Sequence, residues 1–415
     1  MDTEAIQYDA RQALQIAAGI ARPRRIGSQA EAQLGRDLAT SLEQAGYQIQ
    51  AEPFRFTDAS SVFLLIEIIA CQTLVAVSIW LHMVGSPVHV ATAVLLILLL
   101  GLVSHLNRAV QGGSLVVEGR QPTPWARLCQ RLGRAYQATN YVAKIPGSPG
   151  EASGTHLILV AHYDTKSQCI PLAARMTLFV IGSGGALLFA GMILLSPLLP
   201  GLVIPAFVMG GFALIAGIPL WFLDLGNDSP GAIDNASGVG VVMELAHTLA
   251  KAPEVSRKLD LTILLTSAEE ASTMGAVAYV QQHAKELQGW ATSSRLYVLN
   301  FDGVGVDGRL RWTGKGERSV STSASCLLYL VRQACIDLGC EIRSFNLPGA
   351  LYDHMPFTGI GLDAGTLISV SRASLGVHTW RDSADQLNLR GFEQAGQVTL
   401  MAIQTIIGST ESETD

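Results

Sequence analysis

The 415-residue sequence has few charged residues, 15% of the chain, whereas an average soluble domain has about 25%. It has no cluster of basic residues and a net charge of -6 at pH 7, so no nucleic-acid partner is expected. Its six cysteines show no CxxC pair and no regular spacing, which predicts reduced thiols in a cytosolic part. The acidic start, MDTE, lacks the apolar core of a signal peptide.

The sequence contains several long apolar runs, in keeping with its low content of charged residues. Ser61–Val84 is nearly all apolar, with Glu67 its only formal charge, and a second run covers Val88–Leu106. Met176–Leu223 contains no formal charge and is interrupted by a Pro- and Gly-containing break. Since about 20 apolar residues cross a bilayer as a helix, these runs predict two transmembrane hairpins, four helices in all. The alternative, buried core helices of a large soluble protein, is disfavoured by the number and length of the runs.

Lys and Arg are absent from the two predicted hairpin tips and frequent in the flanking segments. The positive-inside rule therefore places the flanking segments on the cytoplasmic side of a bacterial-type inner membrane. Because each hairpin returns the chain to the same side, the flanking segments can form one domain. The expected organisation is 1–59, 107–175 and 224–408 for this domain, 60–106 and 176–223 for the hairpins, and 409–415 for a disordered tail. Such hairpins could also pack between protomers, so a homo-oligomer is left open.

Outside the hairpins, apolar strand-like segments alternate with helical ones. This alternation predicts the α/β class, with a mixed, mostly parallel sheet flanked by helices and the two hairpins inserted. Sheets of this kind place their sites just past the carboxyl ends of strands. The predicted strands are 46–54, 156–161, 261–266 and 295–300, and the predicted helices are 31–45, 237–250 and 274–287.

Residues with metal-ligand chemistry stand at these strand ends. His162 and Asp164 are two residues apart and so face the same way, and Asp164 could accept the ring N–H of a ligating histidine. Asp234 lies in GAIDNASG (231–238), a tight turn before a helix that can offer both carboxylate oxygens to a shared site. Our interpretation is that Asp234 bridges two metal ions and that the other groups are directed at it.

Glu269 and Glu270 are adjacent carboxylates, which repel each other unless a cation or a proton separates them. One can ligate a metal while the other accepts a proton from the water that the metal acidifies. Asp302 ends another apolar strand, and His378 lies in a polar loop. Taken singly, these residues have ordinary alternatives, namely a surface pair, a solvated helix start, a turn aspartate or an exposed histidine. Their coincidence favours a metal site.

In order, AHYDT (161–165), GAIDNASG (231–238), SAEE (267–270), NFDGVG (300–305) and HTWRDSADQL (378–387) resemble the co-catalytic di-zinc exopeptidases. These form metallopeptidase family twenty-eight, that of the bacterial leucyl aminopeptidases, with glutamate carboxypeptidase and glutaminyl cyclase as relatives. PRRIGS and YDHMPF (352–357) resemble further family segments. The resemblance implies the zinc-exopeptidase fold (phosphorylase/hydrolase-like) in a membrane-embedded form, a peptide substrate and two zinc ions as cofactors.

The resemblance also implies a role for each residue. Glu269 would be the general base and later the proton donor to the leaving amine, and Asp164 would orient a ligating histidine. The implied metal ligands are His162 and Asp302 for one zinc, Glu270 and His378 for the other, and Asp234 for both.

Two features depart from the family pattern. The hairpin within Met176–Leu223 replaces a short loop of soluble relatives, so the active site is expected close to the membrane surface. Val377 stands where many aminopeptidase relatives carry a tyrosine, which leaves Tyr352 or His354 as substitutes for the oxyanion donor.

The function expected is that of a membrane-anchored zinc-dependent exopeptidase. An aminopeptidase is preferred to a carboxypeptidase only because aminopeptidases are more frequent in the family. One alternative is a glutaminyl-cyclase-like acyltransferase, against which the intact His162 and the DNASG form of the bridging segment speak. The other is a non-catalytic membrane receptor or scaffold with a peptidase fold, against which the complete ligand set speaks.

Overall fold

The computed structural model describes residues 6–411 except 118, 120, 146–153, 224, 253–254, 256–257, 315–324 and 348. The chain divides into two compact units. The first unit contains residues 1–55, 136–167 and 226–415, and the second contains 56–135 and 168–225. Each unit is therefore assembled from separate stretches of the chain.

The helices have the following bounds. They are α1 (Ala10–Ile20), α2 (Gln29–Gln44), α3 (Ala59–Met83), α4 (His89–Ser114), α5 (Pro124–Leu132), α6 (Leu172–Leu195), α7 (Val203–Gly217), α8 (Ser237–Ala250), α9 (Met274–Gln282), α10 (Ala284–Ser293), α11 (Cys326–Asp337), α12 (His354–Gly359) and α13 (Leu389–Glu411). Short 3-10 turns lie at Pro200–Leu202, Pro219–Phe222, Ala373–Gly376 and Ala384–Gln386.

The strands are β1 (Gln48–Thr57), β2 (Leu115–Val116), β3 (Ala135–Lys144), β4 (Thr155–His162), β5 (Ser167–Gln168), β6 (Leu225–Gly226), β7 (Asp260–Thr266), β8 (Arg295–Phe301), β9 (Arg309–Gly314), β10 (Arg343–Ser344) and β11 (Asp363–Val370). In the first unit they form one sheet in the order β10-β9-β11-β8-β4-β7-β3-β1. The four central strands, β7, β4, β8 and β11, run parallel to one another. On either side of them, β3 pairs antiparallel with β7 and β9 pairs antiparallel with β11. The predicted mixed, mostly parallel sheet is confirmed.

The central strands are apolar for a physical reason. Every residue of β4 and of β7 is buried, because a parallel strand in the middle of a sheet is covered on both faces. Side chains such as Leu159, Ile263 and Leu299 enter the main core together with Val242 of α8. This packing fixes where each strand ends, and the candidate site lies beyond those ends.

Most predicted elements are present, and one differs. The predicted helix 274–287 is two helices, α9 and α10, with a break at His283. At this break, the ring of His283 lies 2.8 Å from the Glu52 carboxylate and 2.9 Å from that of Glu286. Helix α13 continues to Glu411, into the tail predicted to be disordered, and residues 412–415 lie outside the described residues. The six cysteines are free thiols, as predicted.

The second unit contains the apolar helices. Three of them are long and apolar enough to cross a membrane, namely Ala59–Met83, Leu172–Leu195 and Pro200–Phe222. Helix α4 adds a fourth span only if its two parts, which are bent by 52°, are counted as one. Val75, Phe189 and Ile193 are buried together in the core of this unit. The four predicted spans therefore correspond to three long apolar segments and the bent helix α4.

The two compact units divide the chain at other residues than the predicted domains. Residues 107–135 are grouped with the apolar helices in the second unit. The reason is packing, because Trp125 of α5 donates its indole N–H to the Ala109 carbonyl at 2.8 Å and its ring lies 5.4 Å from that of Phe63. Cys129 is buried beside Val110 in the same cluster. The middle stretch of the first unit ends at Ser167, whereas the predicted boundary is at residue 175.

Candidate metal centre

Three of the candidate segments leave the same edge of the sheet. His162 is the last residue of β4, and Asp302 directly follows β8, the parallel neighbour of β4. Glu269 and Glu270 follow β7, which pairs with β4 on its other side. Because the carboxyl ends of adjacent parallel strands meet at one edge, these side chains converge.

The other two candidates arrive from loops. Asp234 lies in an irregular turn, Ala232–Ala236, that leads into α8. His378 has a φ of 63°, in the left-handed region that few non-glycine residues adopt. The backbone at both positions is therefore shaped by its surroundings rather than by regular secondary structure.

Asp234 stands at the centre of the cluster. Its Oδ1 lies 3.1 Å from Nε2 of His162, and its Oδ2 lies 3.0 Å from Nε2 of His378. Oε1 of Glu270 is 3.2 Å from the same nitrogen of His378, and Oδ1 of Asp302 is 3.9 Å from Nε2 of His162. Two groups of donor atoms result, His162 with Asp302 and Glu270 with His378, and Asp234 belongs to both. The structure thus brings all five predicted ligands together.

The donor set fits metal ions. Among the described residues, Nε2 of His162 and Oε1 of Glu270 are buried and have no hydrogen-bond partner. Buried polar atoms are normally satisfied, so their orientation toward the cluster indicates that a cation completes them. Imidazole nitrogens and carboxylate oxygens are the ligands that zinc takes in proteins.

Asp164 fixes the loop that carries the glutamates. Its carboxylate accepts the backbone N–H of Glu269 at 3.1 Å and that of Glu270 at 3.3 Å. Its Oδ1 lies 3.5 Å from Nδ1 of His162, whereas its backbone carbonyl is 3.3 Å from that nitrogen. Asp164 therefore contacts His162 through both its carbonyl and its carboxylate.

The two adjacent glutamates have opposite pKa shifts. Burial raises the pKa of Glu269 well above its ordinary value, against the opposing effect of His162, and the Glu270 and Asp302 carboxylates raise it further. Burial would also raise the pKa of Glu270, but His378 and Lys166 outweigh it and the pKa falls. Neighbouring carboxylates with divergent pKa values are suited to different roles, one exchanging a proton and the other remaining an anion.

Comparison with known proteins places the chain in a family. The model of peptidase family M28 matches residues 140–403, more than half of the chain. The chain belongs to peptidase family M28. Aminopeptidase YwaD of Bacillus subtilis is 28% identical to it over 183 residues. That match covers 42% of this chain and 37% of the relative, so the chain matches little more than a third of the length of this curated relative.

Solved structures share the fold of this M28 member. A zinc aminopeptidase from Bacillus subtilis aligns with a TM-score of 0.55 at 14% identity, over 97% of this chain and 96% of that one. A glutaminyl cyclase from Fimbriiglobus ruber aligns with a TM-score of 0.55 at 16% identity, over 97% of both chains. At such identities the likeness shows the fold alone, and it confirms the predicted zinc-exopeptidase fold.

Sequence reasoning left Arg24 and Asp382 of this M28 chain without a role. Asp382 is buried and accepts the backbone N–H groups of Ile233 and Asp234. Arg24 is buried behind the site and donates to five carbonyls. Three of them belong to distant residues, namely Tyr163 at 2.7 Å, Pro230 at 2.6 Å and Gly231 at 2.8 Å. Burial raises the pKa of Asp382 to about 7 and lowers that of Arg24 to about 10. Both lie in segments, HTWRDSADQL and PRRIGS, that the family resemblance singles out.

Tyr352 and His354 differ in their surroundings. Nδ1 of His354 lies 2.7 Å from the hydroxyl of Thr366, and its ring stacks near that of Tyr352 with centroids 6.0 Å apart. Burial raises the pKa of Tyr352, and the carboxylates of Asp302 and Glu269 raise it further. The phenol of Tyr352 therefore stays protonated and able to donate a hydrogen bond next to the site.

Proposed function

We propose that this chain is a zinc-dependent exopeptidase anchored in a membrane, and that it is an aminopeptidase releasing N-terminal residues from peptides. One observation carries the proposal, namely that both oxygens of Asp234 face separate histidines at 3.1 and 3.0 Å. A carboxylate shared in this way by two ligand groups is the arrangement of a paired-metal site. Membership of a peptidase family and the complete ligand set support it.

The ligand groups would hold two zinc ions. His162 and Asp302 would bind one, Glu270 and His378 the other, and Asp234 both. When bound, zinc lowers the pKa of a water molecule and polarises the carbonyl of the scissile bond. The roles of the remaining residues follow from where their side chains lie.

Glu269 is the proposed general base. Its Oε2 lies 3.9 Å from Nε2 of His162, yet it belongs to neither ligand group. It can therefore take the proton of the attacking water and pass it to the amine that leaves. Its backbone is held by Asp164, so the carboxylate keeps its place while its protonation state changes.

Tyr352 is the better of the two candidates for the oxyanion donor. Nδ1 of His354 is already paired with Thr366, whereas Tyr352 retains its phenolic proton beside the carboxylates of the site. A donor that is protonated at neutral pH can stabilise the charge that develops on the carbonyl oxygen.

The apolar helices support the proposed membrane anchor. Three helices meet the length and composition needed to span a bilayer, and the segments around them carry the Lys and Arg residues. By the positive-inside rule the metal centre would be cytoplasmic. The substrates would then be cytoplasmic peptides.

A glutaminyl-cyclase-like acyl transfer is the second candidate, because the fold is also that of a glutaminyl cyclase. In that reaction the α-amine of an N-terminal glutamine attacks its own side-chain amide and releases ammonia. The two readings predict different products from the same peptide.

The test is hydrolysis by the full-length, detergent-purified protein. A peptide mixture with free or acetylated N-termini, including peptides that begin with glutamine, is incubated and read by mass spectrometry. Stepwise loss of N-terminal residues from free peptides alone, absent in Glu269→Gln and chelator-treated samples, supports the aminopeptidase. Loss of ammonia without chain cleavage selects the cyclase. Removal of residues from the other end retains the mechanism and rejects the aminopeptidase specificity. Intact peptides with no bound zinc favour a scaffold.

A further inference from the structure

A lysine lies against one of the proposed metal ligands. Nζ of Lys166 is 2.6 Å from Oε2 of Glu270, and it also donates to the Glu270 backbone carbonyl at 3.3 Å. Lys166 follows the segment that carries His162 and Asp164, so its cation reaches across from β4 to the loop after β7. The Glu270 side chain is only 3% exposed and that of Lys166 is 19% exposed.

The two oxygens of Glu270 consequently have different surroundings. Oε2 is held by the ammonium group of Lys166. Oε1 has no hydrogen-bond partner among the described residues and lies 3.2 Å from Nε2 of His378, inside the ligand group. The backbone N–H of Glu270 is held by Asp164. With its backbone and one oxygen fixed, the carboxylate presents a single oxygen to the site.

We propose that Lys166 is a positioning residue that keeps Glu270 a one-oxygen metal ligand. This inference rests on the proposed function, since it concerns the same metal centre. A carboxylate can bind a cation through one oxygen or through both. The Lys166 ammonium opposes the two-oxygen mode twice, by holding Oε2 in a charge-assisted hydrogen bond and by repelling the cation.

The coordination mode matters for the reaction. Catalytic zinc sites keep a coordination position open for water or substrate, and a second carboxylate oxygen would fill that position. It would also donate more charge to the ion and make it a weaker Lewis acid. Lys166 thus keeps one position open and the ion electrophilic, at the cost of some metal affinity.

Lys166→Met tests this inference in the full-length, detergent-purified protein. The variant has a side chain of similar length but no charge and no donor. Lys166→Arg keeps the charge and the donor, Lys166→Gln keeps a donor alone, and exposed Lys285→Met in α10 is the matched control. The metal-free proteins are loaded with Co²⁺, whose visible absorption weakens as its coordination number rises.

The expected result for Lys166→Met has three parts. Its Co²⁺ absorption is weaker than in the unsubstituted protein, and its release of Co²⁺ to a chelator is about tenfold slower, the scale on which contacts around ligands usually act. With zinc, kcat for peptide hydrolysis falls about 10- to 100-fold while KM changes little. Lys166→Arg keeps the original spectrum and release rate, Lys166→Gln shows the same changes to a smaller extent, and Lys285→Met changes nothing.

An unchanged spectrum and release rate in Lys166→Met overturns the inference. Faster release of Co²⁺ in Lys166→Met also overturns it, because Lys166 would then support metal binding instead of opposing it. If Lys166→Met fails to fold, Lys166→Gln decides by the same two measurements. Failure of the proposed function is distinguished at the start, because the unsubstituted protein would then release no N-terminal residues from peptides, whereas the Co²⁺ spectrum and release rate test Lys166 whichever reaction the centre performs.

Discussion

The buried carboxylate of Asp382 accepts the backbone N–H of Ile233 at 2.6 Å. Its second oxygen accepts the N–H of Asp234 at 3.3 Å, and its own carbonyl accepts the N–H of Ala232 at 3.0 Å. The loop that supplies His378 therefore also shapes the turn that supplies Asp234. Two ligand-bearing segments, far apart in the chain, are locked to each other behind the metal centre.

Replacing Asp382 should loosen the shared ligand. In Asp382→Ala the two N–H groups lose their acceptor, and we expect bound zinc and kcat to fall about 10- to 100-fold. Zinc per chain and peptide hydrolysis measure the effect. Asp385→Ala, an exposed position in the same loop, is the control and should retain both. Normal zinc and kcat in Asp382→Ala would show that the turn holds Asp234 without help.

Glu269 is expected to act on protons and not on metal. Glu269→Gln keeps the size of the side chain but removes the base, so kcat should fall about 10²- to 10⁴-fold. Zinc content should remain that of the unsubstituted protein, because Glu269 is in neither ligand group. Glu286→Gln, on the distant helix α10, serves as control. A loss of zinc equal to the loss of activity would reassign Glu269 as a ligand.

The two ligand groups predict a graded loss of metal. Asp302→Ala and His378→Ala should each remove one zinc per chain, since each side chain belongs to one group. Asp234→Ala should remove both ions, because this residue belongs to both groups. Metal analysis after exhaustive dialysis gives the count. Equal loss in all three variants would mean that the ions bind as a single unit.

Arg24 should be important for stability. Its guanidinium donates to five carbonyls, three of which lie in two distant segments, and a buried acceptor without a partner costs about 1–3 kcal/mol. We expect Arg24→Met to lower the free energy of unfolding by about 3 kcal/mol or more, measured by chemical denaturation in detergent. Arg24→Lys should recover part of the loss. Exposed Arg36→Met should have little effect, and an equal effect there would discount the buried contacts.

The proposed topology can be tested by cysteine labelling. Pro87→Cys and Leu198→Cys lie at the tips of the two hairpins, and Lys285→Cys lies in the sheet-containing unit. In intact cells, after replacing exposed Cys169 and Cys326 by serine, a membrane-impermeant maleimide should label only the two tip cysteines. Disruption of the cells should expose Lys285→Cys. Labelling of Lys285→Cys in intact cells would place the metal centre on the outer side.

The sequence predicted the central elements because their signals are local. The apolar strands 156–161, 261–266 and 295–300 became β4, β7 and β8 with shifts of one residue, since a strand buried on both faces has a nearly continuous run of apolar residues. Helix 237–250 has the predicted bounds. The five ligands converge because they follow the ends of neighbouring strands or lie in motifs that the family resemblance identified.

The residues around the ligands could not be predicted in the same way. Lys166, Arg24 and Asp382 act on partners 104, 139 and 149 residues away in the chain, and no local pattern specifies such pairings. His283, at the break between α9 and α10, likewise contacts a distant residue, Glu52. The grouping of residues 107–135 with the apolar helices depends on packing such as that of Trp125 on Phe63, which a hydropathy pattern does not show.

The position of β4 in the sheet has a consequence for biosynthesis. Its eight buried residues lie between β7 and β8, and both partners are encoded after the second apolar hairpin. A nascent chain on the ribosome therefore presents a buried-type, mostly apolar strand that has neither neighbour until residue 266 has emerged and lacks the second until residue 301 has emerged. If the proposed hairpin enters the membrane during synthesis, its insertion precedes closure of the sheet. A chain released before that point has no metal centre and exposes a strand that chaperones and proteases can recognise.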